Sequence, residues 1–258
     1  PQPPHTPPDI SLLLKQLSPP PPAMFEIFQY PFFQKAIAGV LIISIAAAVI
    51  GTYIVTRRLV AISGGITHAC FGGLGLGYFM GVNPVITAAF FAVFASLGVD
   101  WMASRARMRE DSAIAVIWAL GMAIGVFFVF LTPGYVPELN SFLFGNVLTI
   151  TGTDLLAFSL FTIVLIAFVA WRFKEIVACA FDRDFASVMH MPVRLITTAM
   201  TVLTAVCIVL TIRLVGVMLL MSMLAMPQII SEVFCRRFAS MMWVSIAISA
   251  CCCLTGLQ

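Results

Sequence analysis

Apolar residues run through this chain in long blocks, each close to the length of a membrane crossing, with short polar knots between them. Blocks near 36–55, 59–80, 84–103, 112–131, 154–171, 195–212, 214–231 and 238–257 each approach the roughly 20 apolar residues a helix needs to cross a hydrocarbon core. Strand-like alternation of apolar and polar positions is absent, which argues against a barrel. The pattern predicts an all-α, polytopic transmembrane helical bundle of about eight spans, filling residues 24–258 and leaving no room for a sizeable soluble domain. Composition agrees. Hydrophobic residues make up 61% of the sequence and charged residues 10%, against about 25% charged in a soluble domain. Lipid offers no partner to backbone polar groups, so helices must satisfy their own. A polar side chain inside a span then becomes a candidate for function.

The charges sort by loop. Arg57 and Arg58, then Arg105, Arg107 and Arg109, then Arg172, Lys174, Arg183 and Arg194, then Arg236 and Arg237 each follow an odd-numbered span. The alternate connections, Gly81 to Pro84, Thr132 to Thr153 and a loop at Arg213, are nearly free of positive charge. The positive-inside rule places the first set in the cytoplasm and the N-terminus outside. The net charge of +3 is not gathered into one patch, so nucleic acid is not an expected partner.

Residues 1–23 differ in kind. They are rich in proline, with the run Ser18-Pro19-Pro20-Pro21-Pro22, and read as extended polyproline or disorder. They lack the parts of a signal peptide. Met24 is a natural initiator, so this extension reads either as a misplaced start or as a functional tail. The last residues run straight out of an apolar stretch, which leaves a truncated C-terminus open. The 7 cysteines, Cys70, Cys179, Cys207, Cys235 and Cys251 to Cys253, form no C-x-x-C pair and read as small hydrophobes. Cys70 is close in sequence to His68.

The second span carries the run Ser63-Gly64-Gly65-Ile66-Thr67-His68-Ala69-Cys70-Phe71-Gly72-Gly73. So many glycines mean either close packing against a neighbour or a local break. His68 is the only histidine well inside a span. It serves either as an interhelical hydrogen-bond partner or as an imidazole facing a polar pathway, where it binds a cation or a proton. Thr132 to Thr153, with Pro133-Gly134, Pro137 and Phe142-Leu143-Phe144-Gly145-Asn146, predicts a short element on the outer face, with Glu138 and Asp154 as solvated charges. Glu175 to Arg194 predicts a surface helix around Asp182, Asp184, Phe185, Ala186, Val188 and Met189, which rests at the interface or docks in a partner's groove. The Met-rich stretch Leu219 to Pro227 predicts a kinked span, its methionines serving packing, with soft-metal ligation as the alternative. No P-loop, H-E-x-x-H or G-x-S-x-G motif occurs, so catalysis has no candidate residue.

These landmarks, in this order, resemble the membrane subunit of bacterial zinc/manganese/iron ABC importers. Arg57, Arg58, His68, Ala69 and Gly73 match that family's segment around the second span. Phe144-Gly145-Asn146 with Leu148, Thr149 and Asp154-Leu155 resembles its "FG[ND]-x-L … DL" element. Asp184-Phe185-Ala186 resembles its coupling helix, and Val215-Gly216, Leu219 and Pro227 a later helix. Ser63-Gly64 stands where the family commonly has an acid, Pro227-Gln228-Ile229-Ile230-Ser231 where it often has "PAA-x-A", and a usual glycine is replaced near His190. The resemblance implies a non-enzymatic permease in a bacterial inner membrane, working as two copies. It implies ABC ATPase subunits docked on Asp182, Asp184, Phe185, Ala186 and Met189, and an extracytoplasmic solute-binding protein. The implied cargo is a divalent metal ion rather than a covalently bound cofactor. His68 is the first expected ligand, with Asp100 and Glu138 behind it. A permease for a metal chelate or vitamin, and a non-transporting membrane scaffold, are the alternatives.

Overall fold

In a computed structural model of the chain, the described residues are 31–106, 108–132, 145 and 150–256. The extension over 1–23, Glu138, Phe144, Asn146, Leu148 and Thr149 lie outside them. The elements are α1 (Pro31–Thr56), α2 (Ala61–Met80), α3 (Pro84–Arg105), α4 (Glu110–Leu131), α5 (Gly152–Trp171), α6 (Phe173–Phe181), α7 (Arg183–Val188), α8 (Val193–Phe234) and α9 (Phe238–Gly256). Among the described residues seven helices are long and apolar enough to cross a membrane.

One of these crosses twice. At 42 residues, α8 would run about 63 Å if straight, about double a hydrocarbon core. Gly216, at φ 77° and ψ 170°, breaks it. Thr197 and Thr201 near its start line a small cavity with Arg57, Glu110 and Arg183. Glu232 near its end lines a cleft with the same three residues. Arg213 instead pairs with Asp154, at the start of α5, at 2.7 Å. The two halves therefore run antiparallel, and the expected spans 195–212 and 214–231 are these halves. The expected loop at Arg213 is corrected: the helix continues through it and turns at Gly216. Only a residue without Cβ adopts that backbone freely. Gly145, also left-handed at φ 68°, lies so close to the Val215 and Gly216 backbone that a Cβ has no space.

Helices α1, α2 and α8 supply most of the core, and α3, α4, α5 and α9 leave broad apolar faces exposed, as a bundle in lipid does. The glycine run of α2 is unbroken helix and serves close packing. A Cβ on Gly121 would sit 2.5 Å from Ala69 Cα, and one on Gly125 would sit 2.5 Å from the Phe71 carbonyl oxygen. On the other flank, a Cβ on Gly73 would meet Ala88 Cα at 2.6 Å. Helix α2 is thus clamped between α3 and α4 at backbone distance, the arrangement small residues permit in membranes.

Pro227 stays inside the second half of α8 because its neighbour compensates. Proline has no N–H, which leaves the Met223 carbonyl without its helical donor. Gln228 Nε2 donates to that carbonyl at 3.2 Å and to the Ala47 carbonyl of α1 at 3.3 Å. Its carboxamide fills the notch over Gly51, where a Cβ would lie 2.6 Å from Nε2. Ser231 and Ser245 bond at 2.6 Å beside it, so a fully buried polar seam joins α1, α8 and α9.

Candidate functional site

His68 lies in the second turn of α2, half-buried, on the side facing α4. Its ring stacks flat on Trp118, with centroids 4.7 Å apart and planes 4° from parallel, and more loosely on Phe71 at 6.3 Å. The imidazole is therefore oriented by aromatic faces. Nδ1 is buried and has no hydrogen-bond partner among the described residues. Of the two readings of His68, the interhelical hydrogen bond is not found among those residues. A ring nitrogen without a protein partner among the described residues suits a cation, in the tautomer that leaves its lone pair free, or a water molecule.

A Cβ placed on Gly64, one turn before His68, would meet the Met221 methyl at 3.4 Å. A thioether thus stands next to the position where the family resemblance calls for a carboxylate. Asp100 is engaged elsewhere, accepting a 2.6 Å hydrogen bond from Thr198 that ties α3 to the first half of α8. Asp154, expected as a solvated loop charge, instead takes part in a reciprocal cap with Thr151 at the start of α5 and pairs with Arg213. Among the described residues no three of His, Cys, Asp and Glu converge to hold a metal ion.

The expected surface helix forms as two pieces. Helix α6 turns Ile176, Cys179 and Ala180 inward. Asp182 then caps α7, accepting hydrogen bonds from the Asp184 and Phe185 backbone N–H groups at 3.0 Å each. Ala186 is wholly buried, whereas Phe185, Val188 and Met189 project outward, each more than half exposed. His190 ends this unit in the left-handed region, at φ 55°. That is a costly backbone for a side-chain-bearing residue, and it explains why a glycine suits the position.

Beside α7 lies a cleft of about 700 Å³, whose lining includes Arg57, Arg183, Glu232, Arg236 and Arg237. Loops following odd-numbered spans therefore meet at one end of the bundle. Their centre is an ion-pair bridge. Glu110, at the start of α4, accepts from Arg57 Nη2 at 3.0 and 3.3 Å and also from Arg183 Nη1 on α7. Arg57 is held further by the Tyr53 hydroxyl at 3.0 Å. Burial pushes the nearby Cys179 thiol up, with Arg183 and Arg57 pulling against it, so it stays a neutral thiol.

The sequence reading missed Glu110, Trp118 and Gln228. The Gly121-x-x-x-Gly125 spacing was a usable signal for the α2–α4 contact, and with it for Trp118 one turn away. A polar residue directly after an intramembrane proline was a usable signal for Gln228. Nothing in the local sequence marks Glu110 as the bridge.

The family model described as "ABC 3 transport family" matches residues 29–258. The "Probable metal transport system membrane protein" of Chlamydia pneumoniae is 36% identical over 220 residues, covering 83% of this chain and 75% of that one. The manganese transport system membrane protein MntC of Listeria innocua is 28% identical over 231 residues, covering 90% and 82%. Among solved structures, PsaBC from Streptococcus pneumoniae in complex with Fab superposes with a TM-score of 0.75 at 23% identity, covering 88% of this chain and 82% of that one. The multi-pass helical permease fold is shared.

Proposed function

The chain belongs to the ABC 3 transport family, and on that basis we propose that it is the membrane permease of an ATP-driven importer that carries a divalent first-row metal ion across a bacterial inner membrane. The relatives' names support metal as the cargo. The observation that carries the reading is His68, its imidazole stacked on Trp118 and Nδ1 without a hydrogen-bond partner among the described residues. A bare divalent ion enters hydrocarbon only at a large desolvation cost, so the pathway must offer donors. One imidazole is too few. A second copy of the chain would bring a second His68, and the broad exposed faces leave room for that pairing.

Energy comes from a separate ATPase chain. The exposed Phe185 and Val188 of α7 and its C-cap Met189 supply an apolar anchor for it, and the polar cleft beside them supplies charge. An extracytoplasmic binding protein delivers cargo at the opposite end, near Asp154, Arg213 and Gly216. The site itself would bind and desolvate the ion, with His68 as the neutral imidazole ligand and Trp118 as the wall that fixes its plane.

The test is uptake of radioactive manganese or zinc by the assembled transporter carrying His68→Ala or His68→Gln. Both variants should lose uptake while melting near the parent temperature, because Gln keeps a hydrogen-bonding group but lacks the ligand nitrogen. Normal uptake by His68→Gln would overturn the ligand role. Retained uptake of a chelate with lost uptake of the free ion would redirect the reading to a ligand-wrapped cargo.

A further inference from the structure

A groove of about 1060 Å³ lies between α5, the end of α7 and the first half of α8, away from the α2–α4 contact that holds His68. Its wall is apolar, built from Val164 and Phe168 of α5 and Leu195, Val202 and Leu203 of α8. Among the described residues the one charged side chain in the lining is Arg194, in the first turn of α8. Arg194 is exposed and makes no ion pair among the described residues. That first turn holds no acidic side chain, so no carboxylate offsets the arginine or the positive end of the helix dipole. Arg194 belongs to the arginine-bearing connections, which places this mouth of the groove at the cytoplasmic end. From Val193 to Leu203 the helix rises about 15 Å, half of a hydrocarbon core of about 30 Å. The groove is therefore one leaflet deep, with its cation at headgroup level.

We propose that this groove binds an anionic glycerophospholipid of the inner leaflet, its phosphate on Arg194 and one acyl chain laid along Val164, Phe168, Val202 and Leu203. Depth, polarity and charge each select that occupant. A soluble anion gains nothing from the apolar wall, and a zwitterionic lipid brings its own cation to the Arg194 end. A guanidinium donates two parallel hydrogen bonds to phosphate oxygens. Basic pockets between spanning helices on the cytoplasmic side hold anionic headgroups in the same way. The occupant would touch two working parts at once. Ser187 of α7 lies in the lining, and so does Thr198, which bonds Asp100 of α3. A lipid there fills the space between the surface helix and the bundle, so the anionic content of the membrane bears on how firmly α7 is seated.

The full chain, purified and delipidated in detergent micelles, is titrated with phosphatidylglycerol and with phosphatidylcholine of identical acyl chains. Native mass spectrometry counts the lipid retained. The parent should bind phosphatidylglycerol about fivefold tighter than phosphatidylcholine, the attraction expected of one basic group at an anionic headgroup. Arg194→Gln should abolish that preference, and Val202→Trp, which fills the groove, should weaken both lipids. Arg105→Gln, at an exposed arginine of the same end but outside the groove, should keep the preference. Equal binding of the two lipids by the parent, a preference that survives Arg194→Gln, or one lost equally in Arg105→Gln would each overturn the proposal. Dissociation of a dimer by Val202→Trp with lipid retention unchanged would also overturn it and give the groove to a second copy. Because the readout is lipid binding rather than uptake, it can fail while the importer reading stands, and the converse also holds.

Discussion

Replacing Glu110 with glutamine tests whether the bridge at the basic end holds α7 onto the bundle. The Arg57 side chain is only 6% exposed and that of Glu110 26%. Removing one partner of a buried ion pair costs about 3–5 kcal/mol. Two features lower that figure here: the glutamine keeps one acceptor oxygen, and Arg57 keeps its bond to the Tyr53 hydroxyl. The expected loss is about 2 kcal/mol, a fall of about 4–8 °C in melting temperature for a chain of this size. The control is Glu175→Gln. Its pair with Arg172 spans three residues of one helix end, and both side chains are about a quarter exposed. Such a pair contributes about 0.5 kcal/mol, so its melting temperature should move by about 1–2 °C. Differential scanning fluorimetry in detergent, with a Glu110→Gln/Arg183→Met double-mutant cycle, measures both the loss and the share belonging to α7. The reasoning fails if Glu110→Gln melts with the parent, or if it moves no further than Glu175→Gln.

Gly121→Leu should force α2 and α4 apart, because the atoms in the way are the Ala69 backbone and not a side chain that can swing aside. The expected destabilisation is about 1–3 kcal/mol, and Trp118 fluorescence should shift as its stack on His68 opens. A variant with the parent's melting temperature and emission would refute that contact. Phe185→Asp should leave the melting temperature unchanged, because the side chain is more than half exposed. Uptake driven by the paired ATPase should nevertheless be lost, and normal ATP turnover coupled to uptake would count against α7 as the dock.

Much of this architecture is already set by the order of residues. Apolar blocks of spanning length dictate helices, because lipid leaves the backbone no other partner. The alternation of arginine-bearing and charge-free connections sorts the loops to two ends, and Arg57, Arg183, Arg236 and Arg237 do line one cleft. The short surface helix α7 was legible for a similar reason, because its pattern follows from local periodicity; the break in α8 was not, since it falls at Gly216 rather than at Pro227. What the sequence left open was which distant residues meet. The glycines of α2 read equally as a break or a contact, and only the approach of Gly121 and Gly125 on α4 decides for contact. Arg213 reads as a loop because charge is unwelcome in a span, yet pairing with Asp154 lets the helix run on to Gly216. Glu110 carries no local mark at all. Its role arises because three helix ends converge on it, and convergence is a property of packing in three dimensions rather than of any neighbourhood along the chain.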